Sequence, residues 1–564
     1  MDKQWKTITV DNQAVQDLQT KLGIAPLLCQ LLVQRNIQTF EAARQFFRPD
    51  LSHLHDPFLM KDMDKAVNRL SVAIKNGEKI LLYGDYDVDG TSSVAMMFHF
   101  LAHFHKALDY YIPDRYTEGY GISIKGIEYA TQQNVGLIIA MDCGIKAVEA
   151  TARAKAAGID MIICDHHLPG DDLPDATAIL DPKQPGCAYP FRELSGCGVA
   201  FKLAQAYVER HGLDWPLLED LLDLLVISIA SDIVPLIGEN RVLAYFGLKK
   251  LDRTQRPGLK ALIEKSGRHR PLKISDIVFG LAPMINAAGR LADAGQASRL
   301  MLARDKAVAY DYARVLQERN KIRREFDQRT VEEAKALYSQ NAYWAHRHSL
   351  VLFQPHWHKG IVGITASRMV EQFYRPTVIL TEADGLAVGS ARSVQGFDLY
   401  EALSMCKDLL INFGGHAHAA GLSLRPEDVP VFSDRFEGAV ATLLEGKALV
   451  PEIPIAGTIE LSEITAKFWR ILKQFAPFGP HNRSPVFACY GVQDTGASRL
   501  LKGNHLQLFV RQHESRIFKG IGFGLGHHLE TVKSGTFDIC FTLQENLWQK
   551  QRSLQLVVRD IVKM

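Results

Sequence analysis

The sequence predicts an α/β protein with a parallel-sheet domain, a second α/β domain joined to it by a long helix, and a C-terminal β-barrel. Three observations support this fold class. Near-continuous apolar strands alternate with helical segments in the first half of the 564-residue chain, which is typical of a parallel sheet covered on both faces. The alternation returns after a long charged helical stretch. The C-terminal segment has short strands separated by Gly, Asn and Asp, which favours a small closed barrel.

Five apolar strands are predicted for the parallel sheet, each followed by a polar or helical segment. They are KILLY (79–83), ALDYYIP (107–113), VGLIIAMD (135–142), IDMIICD (159–165) and ATAILDP (176–182). Ligands of such sheets bind at the carboxyl ends of the strands. Functional residues are therefore expected directly after each strand.

Composition places the chain among ordinary globular proteins of several domains, with 47% hydrophobic and 23% charged residues. No apolar run reaches the roughly 18 residues needed to cross a bilayer, and the first residues lack the apolar core of a secretory signal. The eight cysteines form no C-x-x-C pair, so neither a disulfide framework nor a zinc ribbon is indicated. We expect a cytoplasmic protein without membrane association.

The chain divides into five predicted segments. These are an N-terminal helical segment (1–60), a parallel-sheet catalytic domain (61–300), a linking helix (301–345), a second α/β domain (346–450) and the barrel (451–564). The barrel holds 14 Lys and Arg residues against 9 Asp and Glu residues. Such a positive bias suits a groove that follows a single nucleic-acid strand.

The stretch ILLYGDYDVDGTSS (80–93) places Asp85, Asp87 and Asp89 directly after a buried strand. Three carboxylates this close repel one another and are costly to desolvate without a cation among them. Hard oxygen ligands suit Mg²⁺, Mn²⁺ or Ca²⁺. An EF-hand is excluded, because the twelfth loop position is Met96 rather than a bidentate Glu. A solvated acidic turn remains the alternative for this stretch alone.

Three more hydrophobic runs end in carboxylates or imidazoles. Asp142 follows the third strand, and Asp165, His166 and His167 follow the fourth. Asp232 ends a further apolar run that is either a helix or a strand. A single Asp at such a position is often an N-cap or turn residue. Four runs that deliver such groups to one edge of a sheet predict a shared metal site instead.

Two features follow the parallel-sheet domain. The string NAAGR, from Asn286 to Arg290, predicts a glycine-containing turn that leads into a helix. Segment 311–338 has apolar residues at helical spacing and many charges, which predicts a long, partly exposed helix joining two domains. Its arginines more simply form a solvated face than a contact with a polyanion.

In the second α/β domain, the string GGHAHAAGLSL contains Gly414, Gly415 and His416. Glycines permit close backbone approach to a ligand, and the two histidines among them, His416 and His418, could meet a phosphate group. A tight turn with packed histidines is the alternative. Ser390 and Arg392 are two residues apart on a predicted strand, and therefore on the same face.

The strings GDYDVDG, MDCG, CDHH, ASD and GGHAHAAG occur in this order, and through them the chain resembles the DHH–DHHA1 phosphoesterases over nearly its full length. The resemblance implies a DHH domain, a linking helix, a DHHA1 domain and an oligonucleotide-binding (OB) barrel. The first motif and the barrel are similar to those of the branch that degrades single-stranded DNA. A metal-dependent 5′→3′ exonuclease that releases 5′-mononucleotides in DNA repair and recombination is therefore implied.

The resemblance also implies a site for two Mn²⁺ or Mg²⁺ ions. Asp142 would bridge the ions, and His167 would lie beside the scissile phosphate as an acid or an electrostatic stabiliser. Where shorter relatives carry a metal-binding histidine, this chain has Tyr83, so Asp85 is expected to supply the missing ligand and to take part in catalysis. The implied ligands are Asp85, Asp87, Asp89, Asp142, His166 and Asp232.

A second implied set of residues binds the DNA. Arg115, Ser390 and Arg392 match positions that hold the terminal 5′-phosphate, and Asn286 and Arg290 match positions that contact the DNA backbone. His416, with Gly414 and Gly415, resembles a substrate-binding element. The implied partners are single-stranded DNA, a single-strand-binding protein and a RecQ-type helicase, with the enzyme acting as a monomer.

Two other functions stay open at this point. A related pyrophosphatase or a phosphodiesterase for short oligonucleotides or cyclic dinucleotides would need no barrel. A catalytically dead replication scaffold would be expected to have lost metal ligands, whereas every expected acidic and histidine position is filled here.

Overall fold

The computed structural model describes residues 3–291, 295–344, 346–548 and 551–563, without the side chains at 290, 291, 547, 548, 551 and 552. The contacts define two compact units. The larger unit comprises most of residues 5–313 together with 452–563, and the smaller unit is mainly 314–451. Among the described helices, none is both long and apolar enough to span a membrane.

The larger unit contains a five-stranded, fully parallel sheet, as predicted. In spatial order its strands are Leu108–Tyr111, Lys79–Gly84, Val135–Met141, Asp160–Cys164 and Ala178–Leu180. Helix Met63–Asn76 precedes the first of these strands in the chain, and the helices between and after the strands are Val88–Leu101, Ile124–Gln132, Val148–Ala156 and Gly196–His211. The central strands are almost completely buried, which is why they consist of near-continuous apolar runs.

The apolar run before Asp232 is a helix, Leu222–Ser231, which settles the alternative that its composition left open. The predicted turn at NAAGR is wrong, because Asn286 and Gly289 lie within helix Ala282–Leu291. A single glycine is tolerated in a helix at a modest cost. The other helices of this region are Pro216–Glu219, Gly238–Asp252, Pro257–Ser266, Ile274–Asp276, the π-helix Ile277–Leu281 and Gly295–Leu302.

The predicted long helix is present and runs from Lys306 to Gln340. The smaller unit has a mixed five-stranded sheet, with strands in the order Asn412–His416, Ala419–Leu424, Leu386–Arg392, Thr377–Ala383 and Leu350–Phe353. Its helices are Val362–Phe373, Leu399–Ser404 and Val429–Leu444. Its core is built from apolar side chains of the sheet and of the last two helices.

The C-terminal strands form a closed barrel, as predicted. Strand Phe487–Asp494 pairs with Thr536–Trp548 and also with His505–Arg511, which closes the ring. The other strands of this sheet are Gly457–Thr458, Arg499–Leu501, Phe518–Gly522 and Gln551–Lys563, and helices Ala466–Leu472 and Leu529–Lys533 interrupt them.

The N-terminal helices share a hydrophobic core with the barrel. Leu18, Leu28 and Leu32 belong to one buried cluster with Phe487 and Phe537 of the barrel strands. The helices concerned are Asn12–Leu22, Pro26–Val33 and Phe40–Phe47, and strands Gln4–Thr7 and Glu452–Ile455 form a separate two-stranded sheet. The N-terminal segment therefore packs as part of the barrel end of the larger unit.

Candidate metal centre

The aspartate-rich loop turns tightly from its strand into helix Val88–Leu101. A Cβ atom on Gly90 would lie 2.4 Å from the backbone N and O of Asp85, so only glycine allows this approach. Asp87 caps the helix by accepting the backbone N–H of Gly90 at 3.1 Å. The tight turn places Asp89 in the first helical turn.

Asp89 is fixed by three hydrogen bonds from distant parts of the chain. Its carboxylate accepts the backbone N–H groups of Gly196 and Cys197 and the hydroxyl of Ser228, all at 2.8 Å. Gly196 and Cys197 begin helix Gly196–His211, whose N-terminus favours a negative charge. The carboxylate is therefore oriented before any ligand arrives.

Asp142 follows strand Val135–Met141 in a left-handed conformation, with φ of 61°. It is 2% exposed, and its backbone N–H donates to Cys164 O at 2.9 Å. A Cβ on Gly196 would lie 2.5 Å from the Asp142 Cβ. Strained backbone of this kind is found at functional sites, where the surrounding structure enforces it. Gly196 thus leaves the room that Asp142 needs.

The carboxylates converge on His166. Its Nε2 atom lies 3.2 Å from Asp142 Oδ1 and 3.6 Å from Asp232 Oδ2, yet it is buried and makes no hydrogen bond with a described residue. Ligand atoms of Asp89, His166 and Asp232 lie within 4.8 Å of one another, as do those of Asp142, His166 and His167. Burial lowers the pKa of His166, which favours the neutral form that binds metals.

Carboxylates are crowded at this edge of the sheet, and burial makes their negative charge costly. Burial raises the pKa of Asp142 well above its ordinary value, and the charges of Asp89 and Asp87 raise it further. Burial and the same two neighbours raise the pKa of Asp232. Buried oxygen ligands with such raised pKa values, around an imidazole nitrogen that makes no hydrogen bond with a described residue, fit one or more hard divalent cations.

Asp165, the first residue of the motif Asp165-His166-His167, holds His167 in place. Asp165 is 1% exposed, and its Oδ1 lies 2.7 Å from His167 Nδ1. Although burial opposes it, this hydrogen bond raises the pKa of His167 above its ordinary value. The Tyr120 hydroxyl lies 3.1 Å from the same nitrogen. The half-exposed ring is therefore held in place while it can still meet a substrate.

Asp85 is 1% exposed and belongs to neither converging group. Burial, followed by the charge of Asp87, raises its pKa to about 7. The Tyr83 hydroxyl turns away, donating to Gly121 O at 3.1 Å and accepting the backbone N–H of Ser123 at 3.0 Å. The assignment of Asp85 as an additional ligand stays a prediction.

In the smaller unit, four of the expected DNA-binding residues share one face of the sheet: Ser390, Arg392, Gly414 and His416. Neighbouring strands align residues in two rows on this face: His416 with Ala419 and Arg392, and Gly414 with Gly421 and Ser390. The middle strand contributes only small residues to both rows. This arrangement makes a shallow floor bordered by Ser390 and Arg392 on one side and by His416 on the other.

Arg392 lies on this face as a half-buried cation. Its Nη1 donates to Ser390 Oγ at 2.6 Å and to Ala391 O at 2.8 Å. Burial lowers its pKa, and no acidic side chain among the described residues offsets that cost. The first turn of helix Val362–Phe373 lies close by, since a Cβ on Gly363 would be 3.2 Å from Arg392 Nη2. The helix N-terminus and the arginine together favour an anion.

Of the four remaining sequence-predicted residues, two lie in the larger unit, one lies in the smaller unit and one has no described side chain. The guanidinium of Arg115 stacks 5.0 Å from the centre of the Tyr86 ring. Asn286 is partly buried in helix Ala282–Leu291. The side chain of Arg290 lies outside the described residues. In the smaller unit, Gly415 has φ of 154° and no space for a Cβ beside Ala419 O.

One buried carboxylate at this edge is absent from the sequence-based set. Asp181 follows strand Ala178–Leu180, is fully buried, and has an Oδ2 atom without a hydrogen-bond partner among the described residues. Burial raises its pKa to about 7. The rule that ligands bind at strand ends would have found it, since it ends the fifth predicted strand. The backbone donors at Gly196 and Cys197 have no comparable signal, because every residue except proline carries an N–H.

Three family models match successive parts of the chain. They are the DHH family, N-terminal domain, at residues 79–229, the DHHA1 domain at 347–442 and the RecJ OB domain at 455–560. The first includes Asp89, Asp142 and His166 of the metal centre and ends three residues before Asp232, and the second covers the face with Ser390 and Arg392.

Whole-chain relatives agree with these matches. The chain is 38% identical to the single-stranded-DNA-specific exonuclease RecJ of Bacillus subtilis, over 99% of this chain and 70% of the relative. It is 34% identical to the protein of that name in Salmonella typhimurium, over 95% and 96%. The crystal structure of RecJ in complex with Mn²⁺ from Thermus thermophilus superposes with a TM-score of 0.85 at 26% identity, over 100% of this chain and 80% of that one. The chain therefore belongs to the RecJ family of DHH–DHHA1 proteins.

Proposed function

We propose that this protein is a metal-dependent exonuclease that hydrolyses the phosphodiester bonds of single-stranded DNA from the 5′ end and releases 5′-mononucleotides. The observation that carries the proposal is the convergence of buried carboxylates on His166 Nε2, in a chain that also carries a barrel of the RecJ OB type. A role in DNA repair and recombination follows from the family.

The residues that would hold Mn²⁺ or Mg²⁺ are Asp87, Asp89, Asp142, His166 and Asp232, with Asp85 as a further candidate. Bound divalent ions supply activation of a water molecule and stabilisation of the leaving 3′-oxygen. The chain's part is to fix the ligands in advance. The hydrogen bonds to Asp89 and the enforced backbone of Asp142 support this role.

His167 acts beside the metal ligands on the scissile phosphate. Its Nδ1 faces Asp165 at 2.7 Å, and this hydrogen bond raises the pKa of the imidazole. A protonated imidazole at this place can stabilise the developing negative charge or give a proton to the leaving oxygen. No serine or cysteine nucleophile is needed for such a reaction.

Ser390 and Arg392 of the smaller unit, and Arg115 of the larger unit, are each proposed to bind the 5′-phosphate, as the resemblance implies. The half-buried Arg392, with a helix N-terminus beside it and no acidic partner among the described residues, favours an ionised phosphate. Recognition of the terminal phosphate would set the polarity of digestion. Gly414, Gly415 and His416 let the DNA backbone approach the same face closely.

The rest of the strand is proposed to bind at other basic and polar positions. Asn286 and Arg290 are proposed to contact the DNA backbone, and the barrel is proposed to bind further nucleotides through its basic surface and exposed rings.

The five segments bounded at residues 60, 300, 345 and 450 are proposed as the functional domains. We further propose a cytoplasmic monomer that works with a single-strand-binding protein and a RecQ-type helicase; sedimentation and pull-down experiments test these two points.

A digestion assay tests the proposal. A long single strand with a 5′-phosphate is labelled at either end and incubated with Mn²⁺, with Mg²⁺ or with EDTA. We expect immediate release of the 5′ label as a mononucleotide, late release of the 3′ label, and no release with EDTA. Faster hydrolysis of dinucleotides than of the long strand would instead indicate a phosphodiesterase for short oligonucleotides.

A further inference from the structure

Tyr120 combines an exposed ring with a fixed hydroxyl at the border of the metal centre. The residue is 56% exposed, although its hydroxyl donates to Asp142 O at 3.1 Å. The same oxygen lies 3.1 and 3.3 Å from the two ring nitrogens of His167. An aromatic side chain with its polar end tied down and its ring exposed has little rotational freedom left to lose on binding.

A second ring supports Tyr120 from the aspartate loop. Tyr86 packs edge-on against it, with ring centroids 6.5 Å apart and planes at 83°. Arg115 lies over Tyr86, and on the other side Tyr120 meets His167 with ring centroids 5.6 Å apart. A continuous row therefore runs from Arg115 through Tyr86 and Tyr120 to His167.

Two simpler roles explain this geometry less well. A core residue would not leave more than half of its surface exposed. A residue needed only to orient His167 would duplicate Asp165, which already binds the same nitrogen at the shorter distance of 2.7 Å. Neither role requires the ring of Tyr120 to face solvent.

We propose that the ring of Tyr120 is a stacking platform for the base of the 5′-terminal nucleotide. The inference rests on the proposed function, in which Arg115 holds the 5′-phosphate and His167 lies at the scissile phosphate. The base between those two phosphates must then lie near the row of rings that joins these residues. Stacking on an aromatic ring does not depend on sequence, because every base has a π-face.

A binding experiment tests contact directly. Single strands carry 2-aminopurine as the first nucleotide, and EDTA prevents cleavage; anisotropy of a 3′ label reports binding. We expect quenching of the 2-aminopurine fluorescence on binding to the wild type and to Tyr120→Phe, and its loss with Tyr120→Leu and Tyr120→Ala. The matched control is Tyr310→Ala, because Tyr310 is 40% exposed and its hydroxyl is also bound, by Lys265; quenching should persist there. Bound wild type without quenching would refute the platform.

A kinetic experiment separates stacking from a role through His167. Tyr120→Leu should raise KM on the order of 5- to 100-fold, which corresponds to about 1–3 kcal/mol of stacking. This increase in KM should vanish on a strand whose first nucleotide lacks a base. It should persist on a strand in which only the fifth nucleotide lacks a base. An equal loss of kcat on all three strands, shared by Tyr120→Phe, would overturn the proposal in favour of a hydroxyl acting on His167. If the wild type digests none of these strands, the proposed function itself fails, which is a distinguishable result.

Discussion

The candidate sites of the two units hold buried charges of opposite sign: negative in the larger unit and positive in the smaller unit. In the larger unit, Asp142 and Asp232 are surrounded by further carboxylates, and burial raises their pKa values. In the smaller unit, burial lowers the pKa of Arg392, and no acidic side chain of the described residues offsets that cost. A charge that is costly to bury persists where a ligand of opposite sign offsets the cost. The contrast supports a cation in the first unit and an anion in the second.

Replacing Asp142 with Asn is expected to have the largest effect, because it removes one of the buried negative charges in the larger unit. Asn preserves the shape and tolerates a positive φ, so the fold should be kept. We expect turnover to fall about 10⁴-fold, because a metal ion contributes several kcal/mol to the stabilisation of the transition state. Calorimetric titration with Mn²⁺ should show weakened binding. Wild-type metal affinity in this variant would exclude Asp142 as a ligand.

His167→Ala should separate chemistry from metal binding. The side chain touches the metal ligands but is itself held by Asp165, so metal affinity should change little while kcat falls about 10³-fold, as expected for a lost acid or electrostatic stabiliser. His211→Ala is the control, since that histidine bonds to Ser71 away from the strand ends. Equal loss of metal binding and turnover would contradict this division of roles.

The pH dependence of stability tests the buried negative charge of the larger unit in the absence of a substrate. A carboxyl group whose pKa is raised in the folded state adds stability at low pH, which is lost as the pH rises through the folded pKa. Unfolded aspartates titrate near about 4, and the pKa of Asp85 is raised to about 7. With EDTA present, the midpoint of thermal unfolding should therefore fall, relative to that of Asp85→Asn, as the pH rises across this window; lowered pKa values such as that of Asp220 act in the opposite direction in both proteins. Saturating Mn²⁺ should reduce the fall; an unchanged profile would show that no cation binds these groups.

Arg392→Ala tests the buried positive charge of the smaller unit. Hydrogen bonds to charged groups contribute about 1.5–3 kcal/mol, so the preference for a 5′-phosphorylated over a 5′-hydroxyl strand should fall about 10- to 100-fold. The rate on the 5′-hydroxyl strand should change little. Arg435→Ala is a matched control in the same unit, because Arg435 pairs with Asp408 at 3.2 Å on the surface. An unchanged preference would remove Arg392 from the phosphate site.

The sequence predicts the larger unit well because its signals are local and repeated. Each apolar strand ends in a polar group, and parallel strands bring those ends to one edge, which is why Asp142 and His166 could be expected together; Asp232 was expected from its apolar run, which is a helix. Hydrophobicity alone does not distinguish a buried helix from a buried strand. That is why helix Leu222–Ser231 stayed ambiguous. The turn expected at Asn286 was wrong because a glycine by itself does not end a helix.

Other parts of the site depend on tertiary contacts that leave no local pattern. The donors to Asp89 come from positions more than a hundred residues away. The support of Tyr120 by Tyr86 requires two loops to meet. In the smaller unit, the alignment of His416 with Arg392 depends on strand register, which the spacing of Ser390 and Arg392 alone does not fix.

The smallest expected effect tests the glycine floor of the smaller unit. A Cβ on Gly414 would meet nothing within 4 Å, so Gly414→Ala should change the free energy of unfolding by no more than about 0.5 kcal/mol. If DNA passes directly over this glycine, the added methyl group should cost about 1 kcal/mol of binding, about fivefold in Kd. Gly438→Ala is the control: its Cβ also has open space, but it lies within helix Val429–Leu444, where alanine should add about 0.5–1 kcal/mol of stability without altering Kd. Equal DNA affinity in both variants would show that Gly414 is a strand residue with no close DNA contact.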